Sequence, residues 1–376
     1  MRALLIAAGG GGDAVTAAAL VRPLGLTTPP IVMSLAWDRL MIDPLPGPRT
    51  AQDFTGLRIL RAGVREVVAN TEPRAPAGSC LPRLAAELPI RILLLDPVGG
   101  VTDLAAQITA AATCFDADQL VIVDVGGDAL TIGAGDTGLR SPLADQLVIA
   151  AAARTGLPGS LVIAGPGLDG ELSRPVLHAR LRALGARELP DVHRADIESV
   201  QHVFRWHPSE ASGLLAAAAI GIRGRVEIRD AGDQIDLDAA ALRVATVDAA
   251  RAASITPARL LAEATTLVEA EQIIRTATGV SEIDYESRKA EKKRARPRAQ
   301  LTTSAILDVV DRLAHDAHER GADFLTVRRL AEAAGIDTSA GYAAFAALLA
   351  QHRPENYQAS VYRSDRPGAK RQEPGA

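Results

Sequence analysis

Five short, continuous apolar runs alternate with Ala/Leu-rich helical stretches over residues 1–230, and few architectures accommodate that alternation. The runs are Ala3–Ala8, Ile31–Leu35, Ile92–Leu95, Leu120–Val125 and Leu161–Ala164. A strand that is apolar on both faces must be covered on both faces, which calls for a parallel sheet between layers of helices. Helices are predicted at Asp13–Leu24, Thr102–Cys114, Pro142–Arg154 and Glu171–Leu184, with another starting at Pro208-Ser209-Glu210 and running to Ile220. The expected fold class is α/β, a doubly wound, mainly parallel, Rossmann-like sheet, followed by a small C-terminal helical module.

Residues 1–286 are expected to form this α/β domain. Near its end, the runs around 225–230 and 234–237 flank Ala231-Gly232-Asp233 and read as a hairpin. A single helix is predicted from Pro257 to about Thr278. Residues 287–300 are basic, broken by proline and without apolar period, and are expected to be a linker. A helical module at 301–350 and a disordered polar tail at 351–376 are expected beyond it.

Composition narrows the function classes. Aromatic residues make up only 3% of the chain, too few to supply the stacking platforms of a single-stranded nucleic-acid binder. Of the formal net charge of -4, residues 287–376 contribute about +5, leaving about -9 for residues 1–286. Two cysteines, Cys80 and Cys114, cannot build a disulfide framework or a CxxC metal site. No apolar run approaches the roughly 20 residues that span a bilayer, and the N-terminus lacks the pattern of a signal peptide. A cytoplasmic protein without membrane contact is expected.

Chemistry concentrates at the ends of the predicted strands. Gly9-Gly10-Gly11-Gly12-Asp13-Ala14 follows the first strand and contains G-x-G-x-x-A in a strand-to-helix context. Asp38, after the second strand, stands where a ribose-binding acid would be expected. Asp13 argues against phosphate, because a carboxylate in the first helical turn takes up the charge position that a phosphate would fill. It better suits a cation, a sugar hydroxyl or an amine. Asp96, Asp124, Asp128, Asp169 and Glu171 also follow strands, so a parallel sheet gathers them on one edge. Carboxylates so crowded require a cation or raised pKa values.

Other groups are read beside them. Trp37-Asp38-Arg39 and the Pro-stiffened Asp43–Arg49 loop lie near the glycine turn, and Arg39 and Arg49 can grip an anion. Arg140-Ser141-Pro142-Leu-Ala-Asp145 reads as a helix cap, with no G-x-S-x-G context to make Ser141 a nucleophile. His207 is the best-placed histidine for acid–base work. Residues 325–345 resemble a helix-turn-helix, with Thr326 and Ser339 as caps and Gly335 as a stop. Its would-be recognition helix, 340–350, has no Arg, Lys, Asn or Gln to read base edges. Nucleic acid is therefore not an expected partner, and protein contact or self-association is favoured for this module.

The strings Ala-Ala-Gly-Gly-Gly-Gly-Asp13, Ala-Trp37-Asp38-Arg39, Asp43-Pro-x-Pro-Gly-Pro-Arg49, Val-Asp124-Val-Gly-Gly-Asp128 and Arg140-Ser-Pro-Leu-Ala-Asp145 together resemble those of an archaeal and bacterial family, the domain of unknown function numbered 1152. The likeness spans roughly residues 1–290. It implies no particular reaction.

The expected function is that of an enzyme, a hydrolase or group transferase acting on a small polar metabolite. Asp13, Asp124 and Asp128 are the expected catalytic carboxylates, with Asp124 and Asp128 holding a divalent metal such as magnesium. Gly9, Gly10, Gly11 and Gly12 would orient the substrate or an oxyanion through their amides. Trp37, Asp38, Arg39, Arg49, Asp96, Ser141, Asp145, Gly165, Gly167, Asp169 and Glu171 complete the expected binding set. Two alternatives remain open at this point: a nucleotide- or NAD-binding oxidoreductase, and a regulator or adaptor acting through the C-terminal module.

Overall fold

All five apolar runs form strands, and they pair with one another. In the computed structural model, which describes residues 2–27, 29–229, 231–295 and 302–365, these are β1 (Ala3–Ala7), β2 (Ile31–Leu35), β3 (Arg91–Leu95), β4 (Gln119–Val125) and β5 (Gly159–Ala164). They run parallel in the spatial order β5-β4-β1-β2-β3. The chain moves outward from β1 to β3, then returns to the other side of β1 for β4. The order therefore reverses between β1 and β4, which is where an open α/β sheet leaves a crevice at its C-terminal edge.

Strand periodicity divides the interior into two layers. Leu4 and Ile6 of β1 face one core, while Leu5 and Ala7 face the other. The helices that cover these faces are α1 (Gly11–Ala19), α2 (Gly100–Cys114), α3 (Pro142–Arg154) and α4 (Glu210–Ala219). Ile108 of α2 and Leu147 of α3 pack on the first face, Val15 of α1 and Leu214 of α4 on the second.

Four antiparallel strands extend this core to nine. Val244–Asp248 and Arg187–Leu189 lie beyond β5, and Val64–Val67 and Arg58–Arg61 lie beyond β3. The sheet is thus mixed, with a parallel centre. Short, charged strands such as Arg58–Arg61 suit an exposed edge and carry no strong apolar signal.

Several expectations are corrected. The predicted helix over 257–278 is two elements, a 3-10 turn at Pro257–Leu260 and a helix at Leu267–Thr278. Thr266 separates them by capping the second through Glu269 N–H at 3.1 Å. The expected linker is helical over most of its length, within α5 (Glu282–Ala295). Its lysines and arginines are good helix formers, and Ala290 is buried. Residues 296–300 lie outside the described residues.

The C-terminal segment contains α6 (Thr303–Glu319), a strand at Phe324–Thr326, α7 (Val327–Ala333), α8 (Ser339–His352) and a hairpin formed by Tyr357–Gln358 and Val361–Arg363. Residues 351–365 are therefore ordered, contrary to the expected tail, and 366–376 lie outside the described residues. Thr326 caps α7 as expected, but Thr338, not Ser339, caps α8. Phe324–Thr326 also pairs, in parallel, with Gly224–Ile228 of the predicted hairpin, so one sheet joins both parts of the chain. Among the described residues no helix is long and apolar enough to cross a membrane.

Glu227 fastens this junction. Its fully buried carboxylate takes the Arg320 Nε donor at 2.8 Å and meets Arg329 Nη2 at 3.0 Å. Removing it strands Arg329 in the interior. Glu227→Ala is expected to lower unfolding stability by about 2–3 kcal/mol, less than a wholly buried pair because Arg320 is half-exposed. Denaturant unfolding checks this, and a change within error would show that the junction does not depend on the ion pair.

Candidate functional site

The four glycines turn the chain from β1 into α1 under close packing. Gly10 has φ 112°, and a Cβ there would stand 2.6 Å from the carbonyl oxygen of Trp37. A Cβ on Gly11 would meet Cys80 Sγ at 2.2 Å, and one on Gly12 would meet Ser209 Oγ at 2.7 Å. The helix begins at Gly11, two residues earlier than the sequence suggests. Asp13 reaches back to the Gly9 amide at 2.5 Å and across the sheet to the Val125 amide at 3.0 Å. The Gly9 amide is thus engaged by Asp13 and not turned toward a ligand, which corrects the oxyanion role expected for it.

A cavity of about 140 Å³ opens at this switch point. Gly9 and Gly12 line it, whereas Gly10 and Gly11 stand behind the wall. Carboxylate oxygens of Asp13, Asp124 and Asp145 converge there within 4.8 Å of one another, and all three residues are buried. Asp124 Oδ2 and Asp145 Oδ1 have no hydrogen-bond partner among the described residues. Burial pushes the Asp13 carboxyl up to about 7, against the pull of the Gly9 and Val125 amides. Burial, with the neighbouring acids, drives Asp124 and Asp145 well above the carboxylate range.

A second tier of acids is held by hydrogen bonds. Asp128 stands beside the trio, with Ser141 Oγ 3.5 Å from its carboxylate, and burial and Asp145 raise its pKa strongly. Ser141 Oγ also donates to Glu171 at 2.8 Å, and the Arg140 amide does so at 2.7 Å. Asp169 takes the amides of Asp128 and Glu171 and is raised to about 6, chiefly by burial. Arg229 partners this tier, 3.1 Å from Glu171. Glu282 of α5 caps α3 through the Leu143 amide at 2.9 Å, and burial raises it to about 8. Glu286, one turn on, takes the Trp37 indole N–H at 3.1 Å and the Gly47 amide at 2.7 Å.

Asp38 belongs to a second group. Its carboxylate takes the Cys80 amide at 3.0 Å, and an oxygen of Asp38, Cys80 Sγ and a ring nitrogen of His207 lie within 4.8 Å of one another. Burial lowers His207 to about 3, leaving it neutral. Arg39 is exposed at the mouth, with no ion pair among the described residues, and its charge acts on Asp13, Asp38 and Glu282.

Other expected binding residues are placed elsewhere. Arg49 is turned onto buried Asp43 at 2.8 Å, away from the cavity. Asp96 takes the amides of Ala51 and Val98 and organises its own loop. Gly165 and Gly167 form the turn after β5 and do not line the cavity. Sequence reasoning missed Cys80, Glu282, Glu286 and the contribution of α7, Arg328 and Glu332. Only the E-x-x-x-E spacing of Glu282 and Glu286, just ahead of the basic stretch, hinted that α5 has a face.

The raised carboxyls set a pH dependence. Asp13, Asp169 and Glu282 lie near 7, 6 and 8 in the folded protein, above their ordinary values of 3.8, 3.8 and 4.5. Each therefore favours folding fully below its ordinary value and loses that contribution as pH climbs through the folded one. In chelator-treated protein the melting temperature is expected to fall between about pH 5.5 and pH 8. A flat or rising profile over that interval would contradict protonated acids in the cavity.

A family profile described as a protein of unknown function (DUF1152) matches residues 4–290, well over half of the chain. No curated protein and no solved structure matches it.

Proposed function

The chain belongs to the DUF1152 family, and from its own residues we propose an enzyme that holds a divalent cation and performs hydrolysis or group transfer on a small polar metabolite. One observation carries this reading. Asp124 Oδ2 and Asp145 Oδ1 are buried, lack a hydrogen-bond partner among the described residues and converge with Asp13. Buried acceptors left without donors are costly, so a site that keeps two of them together favours a bound positive charge. An all-carboxylate donor set suits a hard cation such as Mg²⁺ or Mn²⁺. Such a cation supplies Lewis-acid polarisation of a substrate oxygen or of a water.

The remaining roles follow from position. Asp128, whose carboxyl is raised by burial and by Asp145 and which stands beside Ser141, would deliver a proton to a leaving group. Arg39, free at the mouth, is placed to hold an anionic group of the substrate. The cavity, of about 140 Å³, suits a small substrate.

The two alternatives have less support. For a dinucleotide, the Gly9 amide and the Asp38 carboxylate are the groups needed, and both are engaged within the protein. For a nucleic-acid regulator, Arg328 and Arg329 of α7 are the nearest cations, and both are buried in ion pairs with Glu210, Glu332 and Glu227.

Titration of chelator-treated protein with Mn²⁺, followed by calorimetry and by electron paramagnetic resonance, tests the reading. One equivalent is expected to bind, and Asp124→Asn and Asp145→Asn are each expected to weaken it at least about tenfold. A wild-type protein that binds neither Mn²⁺ nor Mg²⁺, or variants that bind as well as it does, would overturn the proposal.

A further inference from the structure

We infer that Asp38, Cys80 and His207 form a second metal site, separate from the carboxylate trio and suited to a borderline-soft cation such as Zn²⁺. The three residues come from different parts of the chain. Asp38 follows β2, Cys80 precedes the helix Leu81–Glu87, and His207 precedes α4. Their donor atoms lie within 4.8 Å of one another, and all three side chains are more than nine-tenths buried.

A further observation points to a ligand. His207 Nε2 is buried and has no hydrogen-bond partner among the described residues. Glycine at 11 makes room for the Cys80 sulfur beside the other two donors: the point where its Cβ would stand is 2.2 Å from Cys80 Sγ, 3.3 Å from Asp38 Oδ1 and 3.4 Å from His207 Nε2, so a methyl group would displace the sulfur. The donors are one sulfur, one imidazole nitrogen and one carboxylate oxygen. Three protein ligands of these types match zinc sites that keep a fourth position open, and Asp38 and His207 both border the cavity.

Proton bookkeeping is simple. The Ser209 amide donates to His207 Nδ1 at 3.3 Å, so the ring proton sits on Nε2. Metal binding at Nε2 moves that proton to Nδ1, the Ser209 contact opens, and Cys80 binds as thiolate. One proton, from the thiol, leaves to solvent for each metal bound.

Co²⁺ serves as the probe, titrated into chelator-treated full-length protein with absorption spectroscopy. One equivalent is expected to produce a sulfur-to-cobalt charge-transfer band in the near ultraviolet, and one equivalent of Zn²⁺ is expected to abolish it. Cys80→Ser should remove the band and Cys114→Ser should keep it. Asp124→Asn should also keep it, since the carboxylate trio has no sulfur; this separates the present inference from the proposed function. Absence of the band in the wild type, or its survival in Cys80→Ser, would overturn the site. Should Cys80→Ser fail to fold, X-ray absorption of the zinc-loaded wild type decides, with one sulfur neighbour expected and none overturning it.

Discussion

One carboxylate holds the switch point together. Asp13 takes the amide of Gly9, before its own helix, and the amide of Val125, at the end of the neighbouring strand β4. It thereby joins the β1–α1 turn to the strand across which the sheet order reverses. The bond requires the turn to pass close beneath Trp37, Cys80 and Ser209, and only glycines leave the room. The glycine run that might have cradled a phosphate instead brings side chains from four elements against one another.

Crowding follows from that closure. With β1 and β4 drawn together, Asp124 and Asp145 share a buried volume with Asp13, and Asp128 and Asp169 stand just behind. Carboxylates this close cannot all be ionised in a medium of low dielectric, which raises their pKa values and leaves oxygens without donors. The outer tier finds donors for its oxygens in amides, in Ser141 and in Arg229, although burial raises its pKa values as well. The contrast between satisfied and unsatisfied acids distinguishes a structural from a ligand-seeking role more sharply than burial does.

The end of the chain completes the wall. α5 brings Glu282 and Glu286, and Lys293 on the same helix donates to the carbonyls of Leu40 and Asp337. α7 brings Arg328 to Glu210, which also takes the Thr326 hydroxyl at 2.6 Å. Residues beyond 290 therefore border the cavity although the family profile stops there. The basic run that looks like a solvated tether is, over residues 287–295, part of a helix that brings Lys289 to the cavity wall and to Glu332.

The sequence by itself determined the sheet. Apolar runs bounded by glycine and proline locate β1 to β5, and the covering of both faces forces parallel pairing, because those signals are local and of one period. It also gathered Asp13, Asp38, Asp96, Asp124, Asp128 and Asp169 on one edge, since strand ends of a parallel sheet share an edge. Tertiary structure alone decided which of them meet. Asp145 joins Asp124 while Arg49 and Asp96 turn away, because a strand end fixes a residue's neighbourhood and not its side-chain partner. It alone brought Cys80 and His207 to Asp38, from 42 and 169 residues away along the chain, where no spacing rule reaches. It also made α5 a wall and the C-terminal hairpin part of a shared sheet: helix faces and short charged strands become legible only when the surface that buries them is in place.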